Sequence, residues 1–89
     1  MPYITAKARK KLDSEIDNLI EKLSRDVVVD GEVNYVITRI IDALYGSGGY
    51  TIFNRAMGVI DCVAREFYRR KVASYEDKKI AENGDVYRY

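Results

Sequence analysis

The chain has 89 residues, one cysteine, no histidine and a net charge of +1. That length makes one domain with a thin core, burying roughly 60–65% of its unfolded surface, and such cores are often supplemented by disulfides, metals or oligomerisation. A single thiol excludes an internal disulfide and, without histidine, argues against zinc; the near-neutral charge gives no global field toward nucleic acid or acidic membranes, so oligomerisation is the supplement left.

A hydrophobic fraction of 47% beside 33% charged residues marks a folded chain rather than a disordered one. The start, Met1-Pro2-Tyr3-Ile4-Thr5, has no signal-peptide run. No stretch approaches the roughly 20 apolar residues of a membrane span. The expected location is cytoplasmic, with no membrane partner.

In chain order, helical spacing first appears from about Thr5 to Arg25. Ala8, Leu12, Ile16, Leu19, Ile20 and Leu23 form one stripe. Thr5 can cap the start, and Asp13 or Ser14 could cap a second start within the segment. Val27-Val28-Val29 is β-branched but short for a strand. Asp30-Gly31 then makes a turn, with Asp30 as N-cap of a second helix reaching Tyr45. Val33, Val36, Ile37, Ile40, Ile41 and Leu44 are its stripe, and Tyr35 falls opposite.

Gly46-Ser47-Gly48-Gly49 is the strongest break in the chain. The third helix follows, from about Thr51 to Val72. Its buried stripe is Ile52, Phe53, Ala56, Val59, Ile60, Val63 and Phe67, widened by Met57, Ala64 and Tyr68. So broad a face predicts more than one neighbour. Ser74 can cap a short fourth helix to Glu82, stopped by Asn83-Gly84. Ile80, Val86, Tyr75 and Tyr87 give this C-terminal segment enough apolar surface to dock back on the others. The expected fold is all-α, a small single-domain bundle of three main helices with a short C-terminal helical segment.

Several blocks of the chain are familiar together: Met1-Pro2-Tyr3-Ile4, Gly31-Glu32-Val33-Asn34-Tyr35-Val36-Ile37-Thr38-Arg39, Glu66-Phe67-Tyr68-Arg69-Arg70, Tyr75-Glu76-Asp77-Lys78-Lys79-Ile80 and Glu82-Asn83-Gly84-Asp85-Val86-Tyr87. They resemble a family of short, uncharacterised archaeal, bacterial and phage proteins. The resemblance implies a prokaryotic or viral source and a stand-alone protein of this length. That family has no assigned activity, so the resemblance assigns no functional residue.

The candidate chemistry is sparse. Cys62 has no histidine to activate it; Arg65 and Arg69 nearby could favour its thiolate, against the plainer role of a small packing residue. Glu82-Asn83-Gly84-Asp85 matches the Glu-x-x-Asp spacing of helical pyrophosphohydrolases, but without the Glu-x-x-Glu partner that would help gather oxygens on magnesium. The glycine run precedes a helix start, where backbone N–H groups can hold an anion, yet it lacks the Gly-Lys-Ser/Thr ending of a phosphate loop. A helix-turn-helix would expose Thr51, Asn54 and Arg55, across a connection long for that motif. No cofactor or metal site is expected, and no catalytic residue.

Two surface features remain. Arg65, Arg69, Arg70, Lys71, Lys78 and Lys79 crowd one third of the chain beside Tyr68 and Tyr75, a mixture suited to phosphate pairing and base stacking. The spacings Asp61–Arg65, Glu66–Arg70 and Lys78–Glu82 predict that much of this charge is paired internally. There are also 8 tyrosines, a residue enriched at interfaces. Gly58 and Cys62, small residues one turn apart outside the main stripe, could admit a second backbone. The leading expectation is therefore a non-enzymatic, self-associating module, a homo-dimer contacting through Gly58, Cys62 and exposed tyrosines such as Tyr35. The alternative is a weak nucleic-acid-binding accessory protein using Arg65, Arg69, Arg70 and Lys71.

Overall fold

A computed structural model describes residues 4–24 and 26–88. Arg25, the expected end of the first helix, and Tyr3 and Tyr89 lie outside the described residues. The fold is all-α, with no strand among the described residues. The chain divides into two units, Met1–Ile40 and Ile41–Tyr89, with the boundary inside the second helix.

In the first unit, α1 runs from Ala6 to Leu23. Thr5 caps it from the extended region, its Oγ1 accepting the Ala8 N–H at 3.2 Å, which satisfies one of the orphan donors of the first turn. No second start occurs at Asp13 or Ser14: the helix passes through both unbroken. Ser24 closes it, both its N–H and its Oγ reaching the Ile20 carbonyl. Of the α1 stripe, Ala8, Leu19 and Leu23 are half-buried, while Leu12, Ile16 and Ile20 are exposed. The valine run Val27–Val29 is an exposed connection.

Helix α2 spans Asp30–Tyr45. Asp30 is its first residue rather than its cap. The Val29 carbonyl accepts the first bonds, from Glu32 N–H at 3.0 Å and Val33 N–H at 3.2 Å, so Val29 holds the cap position. Asp30 and Glu32 still place negative charge on the first turn, where the helix dipole favours it. Along the stripe Val33, Val36 and Ile41 are half-buried and Ile37, Ile40 and Leu44 exposed.

The second unit carries the larger surprise. Helix α3, Tyr50–Phe67, does not end before the C-terminal segment. It widens into a π turn at Tyr68–Val72 and continues as α4, Ala73–Asn83. The three make one long, bent helix. The π turn is marked by the Ala73 N–H bonding to the Tyr68 carbonyl, five residues back, and such bulges are a recognised cause of bending. Ser74 is therefore no cap: a cap residue sits in the extended region, whereas Val72 and Ala73 before it are both right-handed helical. No glycine or proline separates Phe67 from Asn83, so the helix bends there without ending.

The stop at Asn83-Gly84 is as the sequence predicts. Gly84 takes φ +84° and its N–H bonds the Ile80 carbonyl at 2.8 Å. Beyond it, the tail residues expected to dock are exposed. Val86 and Tyr87 are 86% and 83% exposed, because α4 extends the long helix instead of folding back. The core differs from expectation too. Ala56 is the single buried residue among those described; Ile52 is half-buried, and the rest of the α3 stripe stays in solvent.

Candidate functional site

The feature that most needs explaining is that stripe. Phe53, Ala56, Ile60, Val63 and Phe67 recur at alternating spacings of three and four, which at 3.6 residues per turn holds them on one side of α3. Met57 and Ala64 border them. Ala56 is buried, but the four large members of the row are exposed; burying a large apolar side chain stabilises by about 1.5–3 kcal/mol, so such a row is a contact surface in want of a cover.

The π turn acts on the same side. Its extra residue turns everything after it back by about one helical step, roughly 100°. Val72 and Tyr75 thereby rejoin the side that carries Phe67. So do Tyr68 and Glu76 come into line with each other. The Tyr68 hydroxyl lies against the Glu76 carboxylate, whose hydrogen bond and charge hold the tyrosine above its ordinary pKa. No sequence spacing announces this pair, since residues eight apart do not align in an uninterrupted α-helix.

Four of the six bases of the cluster hold acids, three carboxylates between them. Arg65 Nε donates to Asp61 Oδ2 at 2.7 Å. Glu66 takes Arg69 at 3.0 Å and Arg70 at 3.6 Å. Its hydrogen bond from Arg69 holds the Glu66 carboxyl below the usual range, and the bond to Asp61 raises the Arg65 pKa further. Glu82 pairs with Lys79 at 3.0 Å rather than with Lys78, and Lys79 also lies over the Tyr75 ring, 5.4 Å from its centroid. Of the four residues expected to meet phosphate, Arg65, Arg69 and Arg70 thus hold acids of their own helix.

Gly58 and Cys62 lie on the opposite side of α3 from the apolar stripe, in line with Asn54, Asp61 and Arg65. Cys62 is exposed and unpaired, not packed, and the space a Cβ would take at Gly58 is open. Tyr35 stands on the polar side of α2, as its spacing predicts. Arg39 stacks 5.7 Å from its ring centroid and donates to its hydroxyl at 2.8 Å.

The remaining sequence candidates are occupied locally. Glu82 holds Lys79, and Asp85 Oδ1 accepts the Tyr87 N–H at 2.9 Å. Arg55 lies 5.8 Å from the Tyr45 ring centroid. Among the described residues, no group of three or more acids or thiols is placed to hold a metal, and no helix is long and apolar enough to cross a membrane. No curated protein and no solved structure matches the chain. A family model does match, over residues 1–86, and the chain therefore belongs to the DUF6899 family, a domain of unknown function.

Proposed function

We propose that this protein is a non-enzymatic module that works by self-association, a homo-dimer that completes its thin core by covering exposed helical stripes with a second copy. The exposed row Phe53, Ile60, Val63 and Phe67 on α3 carries the reading. A chain of 89 residues has little core to spare, and large apolar residues left in a row on a regular helix are the usual mark of a partner surface. The groups with displaced pKa values, Arg65, Glu66 and Tyr68, support a structural rather than catalytic role. Each is shifted chiefly by a hydrogen bond to a residue of the same long helix. In this reading the contact lies on the stripe rather than on the side of Gly58 and Cys62, where Asp61 and Arg65 would be desolvated. The protein is cytoplasmic and of prokaryotic or viral origin.

Light scattering of the full chain over micromolar to millimolar concentration is the test. The expected mass is twice the 10.2 kDa of one chain. A constant monomer mass up to the highest concentration would overturn the reading.

A further inference from the structure

Resting on that self-association, we infer that the α3 stripe pairs with itself antiparallel, about a twofold axis at Ile60. A twofold contact places residue i against residue j and j against i, so the stripe must match itself read backwards. It does. Centred on Ile60, Phe53 falls opposite Phe67 of the second copy, Ala56 opposite Ala64 and Met57 opposite Val63, while Ile60 meets itself. The small, exposed Ala64 beside the centre lets the second backbone approach, and the phenylalanines close the ends.

The occupant is a second copy on three grounds. The first is this self-matching, which no unrelated partner requires. The second is area. Phe53, Met57, Ile60, Val63 and Phe67 are each 40–65% exposed, and at about 200 Å² for a large side chain they offer roughly 550 Å² per chain and 1,100 Å² per pair. That reaches the approximately 1,000 Å² a specific interface needs. The third is charge. A parallel pair would set Lys71, one turn beyond Phe67 on the stripe side, against its own copy, and like charges in contact oppose association. The antiparallel pair sets it against the uncharged Gly49.

Oxidative cross-linking of the full chain with copper phenanthroline tests the geometry, with light scattering on every variant. On a Cys62→Ser background, Ile60→Cys links to itself. Phe53→Cys and Phe67→Cys do not link alone but do link when mixed. The wild type, with Cys62 facing away, stays unlinked. On the same Cys62→Ser background, a nitroxide at Lys78→Cys gives an interchain separation of roughly 40–50 Å, from 18 residues on either side of the axis at 1.5 Å each shortened by the bend at the π turn; a parallel pair would bring the two labels far closer. Dimers in which Phe53→Cys links to itself, or in which wild-type Cys62 links, overturn this arrangement and leave self-association standing. Monomers throughout overturn both.

Discussion

Gly48 and Gly49 adopt φ +117° and +86°, a region that side-chain-bearing residues enter at a cost of about 1–3 kcal/mol. A Cβ on Gly48 would also lie 2.8 Å from Ile52 Cγ1, so the turn before α3 depends on glycine there. Gly48→Ala is expected to destabilise by about 1–3 kcal/mol, read as a lower urea midpoint. Gly58→Ala is expected to do the reverse, by roughly 0.5–1 kcal/mol, since a helix interior favours alanine and the space is open. At the same scale, Glu66 should titrate below an ordinary glutamate. Because its folded pKa is lowered by Arg69, its contribution to stability is present above the unfolded value and fades as pH falls through the folded one. Carboxyl-carbon NMR should show the lowered midpoint, and Arg69→Ala should bring it back up. An unmoved Glu66 midpoint in that variant would remove the pair from the account.

At the scale of elements, side-chain chemistry marks the ends of helices well and their continuity poorly. Thr5, the glycine run and Asn83-Gly84 each act through one local bond or one backbone angle, so a few residues suffice to read them. Ser74 carries the same chemistry as a cap but sits inside a helix. Whether a serine caps depends on the backbone before it, which here stays helical. The π turn is invisible for a related reason. Tyr68-Arg69-Arg70-Lys71-Val72 is an ordinary helical string, and the inserted residue is recognisable only from the bond it moves. The site was half legible in the same way: the stripe, the Asp61–Arg65 pair and the Glu66–Arg70 pair follow from spacing, but the exposure of the stripe and the Tyr68–Glu76 alignment do not. Deleting Lys71 should turn the π turn into regular helix while keeping Tyr75 and Glu76 in line with Phe67 and Tyr68, because residues seven apart share one side of an α-helix. The Tyr68 ring-carbon titration should then stay above the ordinary tyrosine value, and a fall to that value would remove the alignment from the account. The paired arginines of this element lead to a further expectation: binding to duplex DNA no tighter than the non-specific range of about 10⁻⁴–10⁻⁶ M at physiological salt. Tight, sequence-selective binding in fluorescence anisotropy, lost on Arg69→Glu, would make nucleic acid the partner instead.

For the whole molecule, self-association has a thermodynamic signature independent of any contact map. If folding and pairing are one process, the folded pair is favoured by mass action and its melting temperature depends on protein concentration. A tenfold rise in concentration is worth about 1.4 kcal/mol per pair, or half of that per chain. For a domain of this size, 1 kcal/mol moves the melting temperature by roughly 4–8 °C, so the expected shift is roughly 3–5 °C per tenfold. Calorimetry across two decades of concentration resolves a change of that size. A monomer whose own helices cover the stripe would melt at one temperature throughout. The two sides of α3 then give opposite results. Ile60→Arg puts a charge at the centre of the apolar row and should abolish the concentration dependence while lowering the melting temperature. Gly58→Arg, on the side of Asp61 and Arg65, should keep the dependence intact. If the two variants exchange behaviours, association runs through the Gly58–Cys62 side, and the stripe is covered within the chain.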